Sequence, residues 1–261
     1  MAISVTKILN TLHRAGYEDT LYICRDRMTK GKKTALFTPN SEMIYRASSS
    51  PELWKILRSA DILFPDGIGS HIGMRLLGIP ARERTTGIKL GEKILDMSAH
   101  CGYKVFLLGA KEGRASRAAK LLQAKHKGIL ICGHHHGYFD KCGKENDWIV
   151  KMINRSGADI LLVCFGFPDQ EKWISENMPF LSNVKLAIGL GGSLDVWSGV
   201  VRRAPEFVSK SGLEWLWRIC CDPKRVKRVG FLVGFTLLVL KEAFLKTQDF
   251  GKCYEIDNFL K

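Results

Sequence analysis

Short apolar runs alternate with longer segments of helical periodicity along most of this chain. The apolar runs lie at 34–37, 60–64, 104–108, 128–132, 159–165 and 185–188, and their continuity is typical of strands buried on both faces. Between them, helical spacing is found at 5–15, 42–49, 51–57, 71–77, 90–100, 114–125 and 145–156. This alternation predicts an α/β fold, in which helices cover both faces of a mostly parallel, Rossmann-like sheet.

The pattern changes near residue 196, after the last predicted strand. Between Arg202 and Arg228 the chain is basic, rich in tryptophan and helical in spacing. We therefore expect two parts, an α/β core over 1–195 and a basic, helical appendage over 196–261. Within the appendage, Asp222 is a candidate N-cap and Pro223 a candidate first residue of a new helix, which places Arg225 and Arg228 on one face.

An apolar run at 229–240, VGFLVGFTLLVL, raises the question of membrane contact. A membrane-spanning helix needs about 20 apolar residues, and this run is shorter. Basic residues precede it, which is typical of a helix that lies in the membrane interface. Its composition fits a buried core helix equally well, so both alternatives stay open.

The charge of the chain predicts an anionic partner. The formal net charge is +14, which favours nucleic acid, acidic lipid or a phosphorylated ligand. A basic nucleic-acid-binding α/β protein is therefore an alternative function, as is a nucleotide-dependent enzyme, although no GxGxxG motif is present. The eight cysteines form no CxxC pair, and the N-terminal residues lack the apolar run of a signal peptide, so we expect a cytoplasmic protein.

Polar side chains follow the first two predicted strands. Thr38 and Asn40 come directly after the first strand, and Asp66 follows the second. In open α/β sheets, ligands bind outside the carboxyl ends of the strands, so all three are candidate site residues. Asp66 can act there as a general base. The alternative is ordinary turn chemistry around these residues, with Ser41 as the N-cap of the next helix.

Later strands end in glycine-rich turns. Gly109 follows the strand at 104–108, and Gly189, Gly191 and Gly192 follow the strand at 185–188. Glycine lets backbone N–H groups approach an anion without obstruction by Cβ, so these turns are candidate phosphate sites. Gln170, at the start of a helix, can donate its amide to a ligand or serve as a cap.

Two further clusters bear on the chemistry. The arginines at 203, 218, 225 and 228 can clamp a lipid phosphate or diphosphate, or form a solvated basic face. Three adjacent histidines, at 134–136, invite a metal hypothesis. However, successive residues of an extended chain point in alternating directions, so we do not predict a metal site there.

Several motifs together resemble the WecG/TagA/CpsF glycosyltransferase family. They span most of the chain, in the family's order: Thr38-Pro39-Asn40, Pro65 to Gly69, Arg84 to Leu90, Leu108-Gly109, Gly137-Tyr138-Phe139, Gly166 to Glu171, and the block from Arg203 to Arg228. Two positions depart from the family pattern. Pro65 stands where the family usually has alanine, and Lys89 stands where it often has aspartate, which bears on the identity of the donor sugar.

The resemblance implies an inverting transfer from a UDP-sugar, with N-acetylmannosamine or a related hexose as the sugar. The acceptor would be an undecaprenyl-diphosphate-linked sugar, used in bacterial cell-surface polysaccharide or teichoic acid synthesis. No metal or other cofactor is implied. The expected partners are the two substrates, an anionic membrane surface at the inner face of the plasma membrane, and further copies of the chain in a homo-oligomer.

The resemblance also implies roles for individual residues in the catalytic core and the appendage. Asp66 would be the base, and Thr38 and Asn40 would position hydroxyl groups. If Asp66 proves dispensable, Asp195 is the next residue to test as the base. The expected donor-binding residues are Arg84, Gly109, Gln170, Gly189, Gly191 and Gly192. The expected diphosphate-binding residues of the lipid acceptor are Arg203, Arg218, Arg225 and Arg228.

Overall fold

A computed structural model describes residues 3–259, and the side chains of residues 3–223 and 225–247. Its strands form one sheet in the order β2-β1-β6-β5-β3-β4, and every neighbouring pair is parallel. The strands are β1 (Thr34–Phe37), β2 (Ile62–Leu63), β3 (Lys104–Gly109), β4 (Leu130–His135), β5 (Ile160–Cys164) and β6 (Leu186–Gly189). The prediction of a parallel sheet is confirmed.

Helices connect these strands and continue beyond them. They are α1 (Val5–Asn10), α2 (Tyr17–Thr29), α3 (Ser41–Ser49), α4 (Pro51–Leu57), α5 (Gly67–Leu76), α6 (Gly87–Cys101), α7 (Arg114–Lys125), α8 (Lys144–Ser156), α9 (Asp169–Asn177), α10 (Ser193–Trp197), α11 (Glu206–Ser211), α12 (Glu214–Cys221) and α13 (Val229–Phe259). Short 3-10 helices lie at Met178–Phe180 and Pro223–Arg228.

The sheet separates two apolar clusters. Alternate residues of one strand point to opposite faces, so Phe37 and Ala35 join one cluster while Leu36 joins the other. The first cluster includes residues of α1, α3, α8 and α9, and the second includes residues of α2, α6 and α7. Burial on both faces explains why these strands read as continuous apolar runs.

Helix α2 was not predicted from the sequence. Its buried residues are Tyr17, Thr20, Cys24 and Met28, and charged residues lie between them. The spacing is helical, but the stripe mixes polar and apolar side chains, which weakens the hydrophobic signal.

Four other local predictions are also corrected. Helix α5 begins at Gly67, four residues before the predicted start, and β4 extends to His135 rather than ending at 132. Asn40, not Ser41, is the N-cap of α3, because its Oδ1 accepts a hydrogen bond from the Met43 N–H at 3.1 Å. A 3-10 helix, rather than an α-helix, follows Asp222, whose side chain does not cap it.

The apolar run at 229–240 packs on the rest of the protein through one side. In α13, Phe235 and Val239 are buried and join the first apolar cluster, which supports the core-helix alternative for those residues. Val233, Leu237 and Leu240 are exposed. Within the residues that the structure describes, no helix is both long and apolar enough to cross a bilayer.

Glu242 fastens the C-terminal helix to the start of the chain. Its carboxylate accepts hydrogen bonds from the backbone N–H groups of Val5 and Thr6, at 2.8 and 2.7 Å, and from the Ser4 hydroxyl at 2.8 Å. Burial raises the pKa of Glu242, but these hydrogen bonds outweigh that effect and lower it from its ordinary value. A residue of α13 therefore satisfies the free N–H groups of α1.

Candidate active site

A cleft of about 720 Å³ opens at the carboxyl ends of the strands. Thr38 follows β1, Ala110 follows β3, Cys164 ends β5 and Leu190 follows β6, and all four line this cleft. Parallel strands bring their carboxyl ends to the same edge of the sheet, so residues far apart in sequence meet here. The cleft therefore lies where the sequence places the candidate site.

Asp66 lines this cleft and is the N-cap residue of α5. Its Oδ1 accepts a hydrogen bond from the Gly87 N–H at 2.8 Å, and its own N–H donates to the Pro39 carbonyl at 3.0 Å. Burial raises the pKa of Asp66 to about 6, although the Gly87 hydrogen bond and the Arg218 charge act to lower it. A fixed carboxylate with a raised pKa is suited to take a proton near neutral pH.

Thr38 and Asn40 flank Asp66, and both use their side chains within the protein. The Thr38 hydroxyl donates to the Gly189 carbonyl at 2.8 Å, which ties β1 to the end of β6. Asn40 is the N-cap of α3, so its Oδ1 already accepts a hydrogen bond from the helix backbone. Both residues still line the cleft, beside Asp66.

Gln170 holds two loops of the cleft together. Its Oε1 accepts hydrogen bonds from the N–H groups of Gly191, at 2.9 Å, and Gly166, at 3.3 Å. Its Nε2 donates to Glu171 Oε1 at 2.7 Å. Gln170 lines the cleft but is only 2% exposed, so most of its amide chemistry is directed into the protein.

The predicted glycines divide into two kinds. Gly191 and Gly192 line the cleft, and Gly191 has φ of +54°, which favours glycine. Gly109 and Gly189 instead make room for neighbouring chain. A Cβ on Gly109 would lie 2.5 Å from the Cys164 carbonyl oxygen, and one on Gly189 would lie 2.8 Å from Gln170 Nε2.

Three of the predicted arginines converge on the cleft, each beside a carboxylate. Arg218 pairs with Glu214 at 2.6 Å, and Arg225 pairs with Asp222 at 3.3 Å. Arg228 lies 3.5 Å from a carboxylate oxygen of Glu42, on α3. The turn after α12 thus brings side chains from α12 and the 3-10 helix to one place, and burial together with the like charges lowers the pKa of Arg225.

Arg84 and Arg203 do not line the cleft, although Arg84 lines a smaller cavity that shares Asp66 and Arg218 with it. Arg84 donates to the carbonyls of Ser209 and, at 3.0 Å, Lys210, and so joins the loop before α6 to the end of α11. Arg203 pairs with Glu92 at 2.6 Å and lines a neighbouring cavity of about 260 Å³, which Arg218 and Arg225 also line.

A second space adjoins the cleft at Asp66. It has a volume of about 210 Å³ and combines charged residues with apolar ones, among them Ile68, Trp215, Ile219 and Leu232. The residues common to both spaces are Asn40, Glu42, Asp66, Arg218, Arg225 and Arg228. Asp66 therefore stands at a junction between a large polar cleft and a smaller, partly apolar cavity.

Other cleft residues were not singled out from the sequence. Lys111, Arg114 and Lys141 line the cleft, and Arg114 pairs with Asp195 at 2.5 Å. Their positions in the sequence could have identified them, since Lys111 and Arg114 follow β3 and Lys141 follows β4. Together with Arg218, Arg225 and Arg228 they outnumber the four acidic residues of the lining, so the cleft is net cationic, which suits an anionic ligand.

The histidine run packs among aromatic rings. The rings of His135 and His136 are 4.2 Å apart between centroids, and His135 also contacts Phe139 and Trp148. Among the described side chains, no three His, Cys, Asp or Glu residues are grouped so as to hold a metal ion. Seven of the eight cysteines are free thiols, and Cys253 lies outside the described side chains.

This chain is similar in sequence to known proteins. The model of the glycosyl transferase WecG/TagA/CpsF family matches residues 6–249. An N-acetylglucosaminyldiphosphoundecaprenol N-acetyl-beta-D-mannosaminyltransferase of Bacillus spizizenii is 31% identical over 239 residues, covering 90% of this chain and 91% of the relative. Proteins of the same name from Bacillus subtilis and Staphylococcus aureus (strain NCTC 8325) are 32% and 33% identical, over 78% and 79% of both chains.

The family-model match covers the sheet, the cleft and the arginine segment together. These matches give no support to the nucleic-acid-binding alternative, and the arginines at 218, 225 and 228 line a concave cleft. The chain belongs to the WecG/TagA/CpsF family of glycosyltransferases.

Proposed function

We propose that this enzyme transfers N-acetylmannosamine from a UDP-sugar to N-acetylglucosamine carried on undecaprenyl diphosphate, in the synthesis of a cell-wall polymer such as teichoic acid. The names of the relatives from Bacillus and Staphylococcus supply the sugar and the acceptor. The nucleotide donor follows from the family. The cationic cleft supports a diphosphate ligand on physical grounds.

The observation that carries this proposal is the position of Asp66. It lies between the cleft of about 720 Å³ and the partly apolar cavity of about 210 Å³. Transfer between two substrates needs a base within reach of the acceptor hydroxyl. The donor sugar must lie close to the same hydroxyl, so that the deprotonated oxygen can attack it. We assign the cleft to the UDP-sugar and the cavity to the acceptor's sugar, diphosphate and first apolar carbons.

In this assignment Asp66 takes the proton from the acceptor hydroxyl as that oxygen attacks the anomeric carbon. Attack from the face opposite UDP inverts the configuration. Negative charge then develops on the departing diphosphate, and nearby guanidinium groups stabilise it. Arg218, Arg225 and Arg228 line both spaces, so they are placed to contact the diphosphate of either substrate.

The remaining predicted residues receive supporting roles. Gly191 and Gly192 bring backbone to the donor, and Gln170 holds their loop. Thr38 and Asn40 line the cleft with Asp66, while Gly109 and Gly189 permit close packing against Cys164 and Gln170. Arg84 fixes the segment that carries the arginines, and Arg203 contributes positive charge from the neighbouring cavity.

We further propose that residues 196–261 form an appendage that contacts an anionic membrane surface, at the inner face of the plasma membrane, and that the enzyme works as a homo-oligomer. Exposed apolar side chains of α13, including Leu237 and Phe244, support the membrane contact. In flotation with anionic vesicles, Leu237→Glu combined with Phe244→Glu should reduce binding, whereas Leu121→Glu on α7 should not. Unchanged flotation of the double variant would exclude this contact.

The reaction is tested by UDP release with a short-chain N-acetylglucosamine-diphospho-lipid acceptor and a panel of UDP-sugars. We expect acceptor-dependent release with UDP-N-acetylmannosamine, lost in Asp66→Asn and Asp66→Ala. Asp26→Asn, on the surface of α2, is the matched control and should retain activity. Release that persists in both Asp66 variants but fails in Asp195→Asn would transfer the role of base to Asp195.

A further inference from the structure

Glu171 is a buried acidic residue to which the proposed reaction gives no role. It is 0% exposed, on α9, immediately after Gln170. Its Oε1 accepts a hydrogen bond from Gln170 Nε2 at 2.7 Å. Its Oε2 is buried and has no hydrogen-bond partner among the residues that the structure describes. A buried carboxyl group that is only half satisfied is costly to keep, so its position calls for an explanation.

The two ends of the Gln170 amide have different partners. Its oxygen accepts the N–H groups of Gly166 and Gly191, which belong to the loops after β5 and β6. Both loops line the cleft. A glutamine amide can present either its oxygen or its NH₂ group, but only the oxygen can accept these two backbone donors. The loops therefore depend on which way the amide is turned.

Glu171 forms a hydrogen bond with the other end of the amide. Its Oε1 offers an acceptor on the side of Gln170 that faces away from the two loops, so the amide NH₂ group points there and the amide oxygen points to the loops. The surroundings leave little space for another arrangement. A Cβ on Gly189 would lie 2.8 Å from Gln170 Nε2 and 3.2 Å from Glu171 Oε1.

We propose that Glu171 is a positioning residue for the donor site: it orients the Gln170 amide, which in turn holds the Gly166 and Gly191 loops in the shape that receives the donor diphosphate. This inference rests on the proposed function for the identity of the ligand. The ordering of the two loops does not depend on that identity.

What Gln170 needs from residue 171 is an acceptor atom, rather than a charge. Burial raises the pKa of Glu171 to about 7, against the lowering effect of the Gln170 hydrogen bond. The carbonyl oxygen of a neutral carboxyl group still accepts a hydrogen bond. Glutamine at 171 preserves such an acceptor, whereas methionine has similar length and no strong acceptor, so the two substitutions separate positioning from packing.

The experiment compares Glu171→Gln, Glu171→Met and the wild type by two readouts. The first is amide hydrogen exchange in peptides that contain Gly166 and Gly191. The second is the affinity for UDP, together with KM and kcat for transfer. In the methionine variant we expect both loop segments to exchange about 10-fold faster and UDP to bind about 10-fold more weakly, with the loss mainly in donor KM, since the loop N–H groups lose a fixed acceptor.

Glu171→Gln should remain within about threefold of the wild type in both readouts, because it keeps the acceptor. Glu176→Gln, on the exposed side of the same helix, is the control and should match the wild type. Equal behaviour of the glutamine and methionine variants, whether both active or both impaired, would overturn the inference. If the wild type fails to bind UDP, the proposed function fails, while the hydrogen-exchange comparison still decides the role of Glu171.

Discussion

The two sides of the cleft are held by different kinds of interaction. On the strand side, Asp66, Thr38 and Gln170 all make hydrogen bonds to backbone groups of neighbouring segments. On the appendage side, Arg218, Arg225 and Arg228 are held by partly exposed carboxylates. Partly exposed ion pairs contribute only about 0–1 kcal/mol each, whereas a buried backbone group left unsatisfied costs about 1–3 kcal/mol.

This difference indicates that the two sides of the cleft have different roles. The strand side is preorganised, since moving any of its polar groups leaves a backbone donor or acceptor without a partner. The arginines can exchange Glu214, Asp222 and Glu42 for phosphate oxygens at low cost, because one anionic partner replaces another. We therefore expect substitutions on the strand side to alter the fold or the chemistry, and those on the appendage side to alter ligand affinity.

The largest effect is expected from alanine at a strand-side glycine. A Cβ on Gly109 would lie 2.5 Å from the Cys164 carbonyl oxygen, at a φ of +142° that side chains rarely adopt. Gly109→Ala should lower the free energy of unfolding by about 3 kcal/mol, as measured by urea denaturation. Gly230→Ala is the matched control in α13, where no atom lies within 4 Å of the added Cβ. It should stabilise the helix by about 0.5–1 kcal/mol, and an equal loss at both glycines would contradict the comparison.

The second prediction concerns pH. Asp66 must be ionised to accept a proton, and its pKa is raised to about 6. The pH profile of kcat/KM should therefore be flat above that value and fall about 10-fold per unit below it. The same raised pKa means that the ionised form costs stability, so Asp66→Asn should be at least as stable as the wild type at pH 8. A profile with no inflection between pH 5 and 7 would count against Asp66 as the base.

The third prediction separates the arginines by position. Arg225 lines the cleft and both adjoining cavities, so Arg225→Ala should raise KM for the substrates about 10-fold, with a weakened dependence of KM on salt. Arg203→Ala should raise KM only about threefold, because Arg203 pairs with Glu92 and does not line the cleft. Thermal melting should change little in either variant. A larger effect at Arg203 than at Arg225 would reverse the assignment.

The smallest effect is expected where α13 meets α1. Glu242→Gln weakens the caps on the Val5 and Thr6 N–H groups and should cost about 1 kcal/mol of unfolding free energy at pH 7. The pKa of Glu242 is lowered in the folded protein, so this stabilisation is present above the unfolded-state value and is lost as the pH falls. The difference between wild type and variant should therefore shrink at pH 4. A constant difference in denaturation experiments at both pH values would show that the carboxylate charge is not involved.

Much of the scaffold could be predicted from the sequence, for a physical reason. Strands buried on both faces read as apolar runs, and polar residues directly after them fall at one edge of a parallel sheet. This pattern placed Asp66, Thr38 and Gly191 at one edge of the sheet, and in the structure all three line the cleft. Helix α2 was not predicted in this way, because its buried stripe includes Thr20 and lies among charged residues.

The direction in which a polar side chain points could not be predicted in the same way. Gln170 turns its amide towards the backbone of two loops, and Arg84 turns its guanidinium towards the end of α11. Each has a partner far away in sequence, Gly191 for Gln170 and Lys210 for Arg84, although Gln170 also has near partners at Gly166 and Glu171. Glu171 was part of a recognised motif, but its role depends on burial beneath Gly189, which no local pattern reveals.

The role of Asp66 as the base between a donor cleft and an acceptor cavity can be tested by single-turnover kinetics. Transfer from UDP-N-acetylmannosamine to the lipid-linked acceptor, and UDP affinity, are measured for the wild type and Asp66→Asn. Transfer should slow at least about 100-fold in the variant, while UDP affinity and thermal stability are retained. A folded variant that transfers the sugar at the wild-type rate would rule out Asp66 as the base.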